Sequence, residues 1–373
     1  MRKRVAANIM ILLMIVSVGL VFIGCTEDTT THTKKDSAEK VVLTLGSWRA
    51  DDLEEWTQLL AEYEQLSGVH IEFKPINPPD YNAALRAQLD TGSGPDVMFA
   101  RSYATGRELY EKGFFADISD LPHLQESFSE SSKDAWRGAD GKSFAVPVAA
   151  VVQSIYYNKD IFEREKVSVP YTWEELLIAC KELKAAGYIP FANGLADAWD
   201  INECFMMGLL PNFVGGEKGR HEYEKGLRPF NDSDMVAAFT AIKDIAPYCP
   251  ENFESLTYNG ANMLFATGKA AMYADGSWTI DSFNDLPFAW GNFAFPPLAG
   301  KEPEICFHVD VGIAMNANGT HQKEARDFLA WLCTPQGVAV VAKYLPNGFY
   351  PMFNGRIPIE NSQSAELYAL LTG

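Results

Sequence analysis

The chain of 373 residues predicts an α/β fold built as two units. Three observations carry that prediction. Short apolar, β-branched segments alternate with segments of helical period from residue 41 onward. Gly-containing turns separate the two kinds of segment. The length suits two domains of ordinary size once an N-terminal export segment is set aside.

The elements follow in order. Residues 41–45 read as a buried strand, and residues 51–66 as a helix with Leu53, Trp56, Leu59, Leu60 and Tyr63 on one face and Gly68 as its stop. Residues 69–73 form a second strand. Residues 81–89 form a helix that ends in the turn Thr91-Gly92-Ser93-Gly94, and residues 96–99 form a third strand. Residues 105–112 form a short helix closed by Gly113. This succession implies a parallel sheet with helical crossovers. Ligands of such sheets meet the loops at the carboxyl ends of strands. Here those loops are Gly46-Ser47-Trp48-Arg49 and Arg101-Ser102-Tyr103.

A second unit begins near Val148. Residues 151–157 are a strand, and Thr172 with Glu175 forms a capping box for the helix that follows. Residues 187–191 return to strand. Residues 212–230, rich in Gly and charge, read as an exposed loop. Helices at residues 235–245 and 258–267 lead to a strand at 270–274, which runs into Asp275-Gly276-Ser277-Trp278. Residues 307–315 are a strand and residues 323–333 an amphipathic helix.

The N-terminus reads as an export signal. Arg2, Lys3 and Arg4 precede an apolar run at residues 9–23, then Gly24 and Cys25. The run of about fifteen residues is shorter than the roughly twenty that span a bilayer. A Cys directly after a small residue resembles a bacterial lipoprotein signal, with residues 1–24 removed and Cys25 lipidated, although Phe22 stands where Leu is usual; an uncleaved N-terminal anchor is the alternative, and either reading places the body outside the cytoplasm. Residues 25–40 are polar and read as a disordered tether with an r.m.s. span of about 20 Å.

The net charge of −18 excludes tracking along nucleic acid and disfavours anionic ligands. The five remaining cysteines, Cys180, Cys204, Cys249, Cys306 and Cys333, are spaced unlike a disulfide framework or a zinc site. The histidines are scattered singly, so no metal is expected. No catalytic motif and no phosphate loop stand in a fitting context, so neither an enzyme nor a cofactor is expected.

Five segments, in order, resemble the extracellular solute-binding proteins of ABC importers, in the sugar-binding branch that includes maltose-binding protein. They are Tyr81-Asn82 through Gly94-Pro95-Asp96-Val97, residues 156–162, residues 170–176, residues 265–272 with Gly276-Ser277-Trp278, and residues 324–332. The resemblance implies a two-lobe periplasmic-binding-protein fold, type II-like, with a ligand cleft between lobes joined by crossing strands. The crossings fall near residues 148–152, 307–310 and 347–351. Lobe 1 then comprises residues 41–150 plus 311–346, and lobe 2 residues 151–307 plus 352–373. Beyond the third crossing the family carries a longer segment than this chain has, so contacts from it stay unassigned. A carbohydrate ligand, an ABC permease with its ATPase, a membrane reached through the lipid and a monomeric state are the implied partners and form.

A neutral sugar calls for aromatic plates against its C–H faces and planar polar groups at its rim. Trp278 matches a tryptophan that stacks on sugar in similar proteins. Trp48, Arg49, Arg101, Ser102 and Tyr103 follow strand ends, and each has a packing or ion-pairing alternative. Asp197 and Trp199 lie where relatives bring lobe 2 to the ligand, with Glu203 a spare candidate. Asp310 sits on the second crossing. Asp96 reads as a turn residue, Tyr156 and Tyr157 as core, and Trp173 and Trp331 as helix packing. A glycan-active enzyme using Asp197 and Glu203, and a sensor or binder of another solute on the same fold, are the alternatives.

Overall fold

A computed structural model describes residues 41–354 and 358–370. The export signal, Cys25 and the tether read for residues 1–40 lie outside the described residues. None of the described helices is long and apolar enough to cross a membrane.

Among the described residues nine strands form one sheet: β1 (Val42–Ser47), β2 (His70–Pro75), β3 (Val97–Ala100), β4 (Ala145–Asn158), β5 (Ile189–Phe191), β6 (Ala270–Gly276), β7 (Trp290–Phe293), β8 (Phe307–Met315) and β9 (Tyr350–Pro351). Its order is β2-β1-β3-β8-β4-β6-β5, with β7 and β9 both on β4. The first three strands are parallel, as helical crossovers require. β8 returns antiparallel to β3 and then pairs the first half of β4, from Ala145 to Val152. The second half of β4, from Gln153 to Tyr157, pairs β6 instead. β9 joins β4 at Ala149 and Ala150. The residues expected at the three crossings fall on β4, β8 and β9, and both β8 and β9 pair β4. The register of β4 against β8 shifts between Pro147 and Ala150, where a bulge gives the strand a place to bend.

β4 is longer than the sequence suggests, because all but one of its 14 residues are buried and no polar alternation marks its ends. Its side chains divide by face. Ile155 joins a core with Trp173, Leu176, Phe191, Phe205 and Phe295, whereas Tyr156 joins Phe265, Tyr273, Phe283 and Tyr350 on the opposite side. A separate core gathers Leu43, Leu45, Trp56, Phe99, Phe144, Ile313 and Phe328. Full burial of each such side chain contributes about 1.5–3 kcal/mol.

Local signals behave as their chemistry dictates. Gly68 ends the helix Leu53–Ser67 with φ 75° and donates its N–H to Glu64 O at 2.8 Å. Thr172 Oγ1 accepts from Glu175 N at 3.2 Å, while the Glu175 carboxylate accepts from Tyr171 N at 2.8 Å, one residue outside the expected box. Asp96 ties β1 to β3 by accepting from the amide (2.9 Å) and hydroxyl (2.8 Å) of Thr44.

The expected loop at residues 212–230 is a correction. The helices Met207–Val214 and Gly216–Glu224 occupy much of it. Gly215 (φ 89°) and Gly216 (φ 60°) make the turn between them, and Arg220 pairs Glu217 and Glu224 along the second helix. Tyr223 anchors that helix by burial. Charge there marked a solvated helical face.

Candidate functional site

A cavity of about 580 Å³ lies where the carboxyl ends of β1 and β3 face the chain around Trp199, Tyr258 and Trp278. That volume falls in the usual range for small-ligand sites, about 300–1,000 Å³. Trp48, Arg49, Arg101, Asp197, Trp199, Trp278 and Asp310 all line it, as do Asn82, Glu203, Tyr258, Asn259 and Asn262.

On the β1 side the polar groups are tightly paired. Arg49 donates to Asp52 through Nε and, at 2.7 Å, through Nη2, and its guanidinium lies 4.9 Å from the Phe349 ring centre. Trp48 is only 3% exposed and meets Tyr81 and Phe99 edge-on. Its remaining face is covered by the guanidinium of Arg101, 3.9 Å from the ring centroid. The plate expected of Trp48 is therefore a support for Arg101. Arg101 Nη1 in turn stands 3.8 Å from Asp310 and 4.0 Å from Glu203, and its Nε donates to Asn82 Oδ1 at 3.4 Å. Burial opposes ionisation of Asp310, but His308 at 3.5 Å and the charges of Arg101 and Arg49 hold its carboxyl below the usual range. Burial pushes Glu203 up, with Arg101 opposing and Asp310 adding to the rise. Glu203 is carried by a π-helix, Asp200–Met206, a form often found at functional sites.

Three half-buried aromatic rings of the lining form a cluster, tilted by 46° between Trp199 and Tyr258 and by 55° between Trp199 and Trp278. The centroid of Trp199 lies 4.4 Å from that of Tyr258 and 6.4 Å from that of Trp278. Trp278 Nε1 donates to the Tyr258 hydroxyl at 3.0 Å, and that hydroxyl donates to Asp275 Oδ2 at 3.0 Å. Asp275 also accepts from the Cys204 thiol at 3.1 Å and from Gly276 N at 2.8 Å. Burial pushes its carboxyl up to about 7, with the charge of Asp200 adding to the rise. Burial likewise raises Asp200 to about 6, although Asn193 Nδ2 donates to it at 3.1 Å.

Two expected residues stand elsewhere. Ser102 and Tyr103 do not line the cavity. The chain turns at once into the helix Tyr103–Glu111, with Tyr103 at φ 54° and its N–H donating to Ala135 O at 2.6 Å. The ring of Tyr103 meets Arg220, 5.5 Å away. Asp197 does line the cavity, but its carboxylate accepts from Tyr258 N at 2.8 Å and so holds a helix start. Tyr258 itself was legible only as the first residue of that helix. Its position between Trp199 and Trp278 comes from a contact 20 residues distant in sequence.

All five cysteines after Cys25 are free thiols. Among the described residues no group of three or more His, Cys, Asp or Glu side chains is arranged to hold a metal ion.

The pattern of the family "bacterial extracellular solute-binding protein" matches residues 47–339. The multiple sugar-binding protein of Streptococcus mutans is 28% identical over 287 residues, covering 72% of this chain and 65% of that protein. The maltotriose-binding protein of Pyrococcus abyssi is 27% identical over 312 residues, covering 82% of this chain and 64% of that protein. The matches thus span just under two thirds of these relatives' lengths. In fold, the chain is similar to the bacterial solute receptor AcbH, described as having an exclusive preference for β-D-galactopyranose, with a TM-score of 0.78 at 18% identity over 90% of this chain and 86% of that one. Solute-binding proteins of this kind are two-lobed receptors rather than enzymes, and the chain belongs to the bacterial extracellular solute-binding protein family.

Proposed function

We propose that this chain is a lipid-anchored, extracytoplasmic receptor that captures a saccharide between two lobes and delivers it to an ABC permease. The lobes are residues 41–150 with 311–346, and residues 151–307 with 352–373. One arrangement carries the reading. The Trp199, Tyr258 and Trp278 rings line one cavity together with Arg49, Arg101 and Asp310. Aromatic faces suit the C–H faces of a sugar ring, and fixed planar polar groups suit its hydroxyl rim. The sugar-binding names of the curated relatives support the same class. Contacts made to both lobes at once would favour the closed form. Cys25 would carry the lipid, and residues 26–40 would let the body reorient close to the membrane.

Isothermal titration against a panel of mono- and oligosaccharides tests the capture. A micromolar Kd, about −8 kcal/mol, is the expected scale. No heat with any sugar from folded, full-length protein overturns it. Fatty-acid labelling of the parent but not of Cys25→Ala tests the anchor.

A further inference from the structure

We infer that the cleft selects neutral and amine-bearing saccharides and rejects those carrying a carboxylate, sulfate or phosphate. The inference rests on the saccharide reading above and adds the charge class of the ligand. The cavity lining holds seven carboxylates, Asp51, Asp52, Glu55, Asp197, Glu203, Asp281 and Asp310, against two cations, Arg49 and Arg101. No lysine or histidine is among the lining residues.

Both cations already stand beside carboxylates. Arg49 is held by both oxygens of Asp52, whose side chain is 8% exposed. An anion that drew Arg49 away would leave that carboxylate buried and unpaired, which is strongly unfavourable. Arg101 lies against Trp48 between Asp310 and Glu203.

Backbone N–H groups at helix starts, the other common seat for anions, are occupied, missing or flanked by acidic side chains. Pro78 and Pro79 open the helix Pro78–Asp90 and have no N–H to offer. Asp197 already accepts from Tyr258 N at the start of Tyr258–Ala266. The first turn of Leu53–Ser67 carries Glu54 and Glu55. By contrast, Asp51 and Glu55 have no side-chain hydrogen bond or ion pair among the described residues, and so stand ready to accept from hydroxyl or ammonium groups.

Titration of the full-length protein with matched sets tests this: glucose- and galactose-series oligosaccharides, their uronic acid and phosphate forms, and their 2-amino forms. The expected result is a neutral or amino member that binds at least tenfold tighter than its anionic counterpart, with the gap shrinking as salt is raised. The variant Asp51→Asn with Glu55→Gln, which breaks no side-chain hydrogen bond or ion pair among the described residues, is expected to narrow the gap at least threefold. An anionic member that binds as tightly as its neutral parent overturns the selection while leaving the saccharide reading intact. Failure of every member to bind overturns both.

Discussion

The guanidinium of Arg101 lies on the indole face of Trp48, its Cζ 3.9 Å from the ring centroid, and reaches from there toward Asp310 and Glu203. Stacking fixes the plane of the cation, and the two carboxylates fix its rotation. Arg101→Lys keeps the charge but not the flat, forked shape, and Arg101→Met removes both. Titration with the cognate sugar is expected to show a graded loss, largest for Arg101→Met, on the scale of a charged hydrogen bond at about 1.5–3 kcal/mol. Unchanged affinity in Arg101→Met would remove Arg101 from the site.

The aromatic cluster predicts a second gradation. Trp278→Ala deletes a stacking plate and is expected to weaken binding by at least about tenfold, or 1.4 kcal/mol. Tyr258→Phe keeps the ring but strips the acceptor from Trp278 Nε1 and a donor from Asp275, so a loss of about 1 kcal/mol is expected. Equal effects of the two would argue that orientation, rather than stacking area, dominates.

Stability is expected to depend on pH in a defined direction. Asp275, held up to about 7, and Asp200, up to about 6, bind their protons more tightly in the folded chain than at the ordinary value of 3.8. Their contribution is complete below that value and is lost as pH rises through the folded values. Asp310 is shifted the other way, so its contribution is lost on acidification below the ordinary range. Thermal melts should therefore show Tm falling from about pH 4 to about pH 7, and Asp275→Asn should flatten that slope. A parent Tm that climbs across the same window contradicts the assignment.

Two glycines separate stability from binding. A Cβ at Gly312 would stand 2.4 Å from Trp136 Cε2, inside a sealed core. Gly312→Ala is expected to lower stability by about 1–3 kcal/mol, read from the urea midpoint. A Cβ at Gly276 would stand 2.1 Å from Trp278 Cζ3. Gly276→Ala should displace that ring, and titration should register the loss of affinity.

Strand and helix periods were readable in elements such as the helices Leu53–Ser67 and Gln322–Leu332, whereas the helix Pro335–Tyr344 went unread. β4 was misjudged at its start because its burial is continuous, and the helices within residues 212–230 because glycine and charge resemble a loop. At the site, Trp48, Arg49 and Arg101 were legible as residues that follow strand ends. Their partners were not. The Asp197 carboxylate and the Tyr258 amide it binds are 61 residues apart, and no local pattern encodes such a meeting. Ser102 and Tyr103 failed for the opposite reason: they adjoin Arg101 in sequence, but a left-handed residue swings the chain aside.

β4 has a consequence for how the molecule comes apart. It gives its first half to β8 and β9 and its second half to β6 and β7, and Val152 N at the midpoint donates to Ser277 Oγ at 3.0 Å. None of the three cores can melt without stripping rungs from a strand that the others also need. The sheet should therefore denature as one cooperative block, giving a single calorimetric transition whose van't Hoff and calorimetric enthalpies agree.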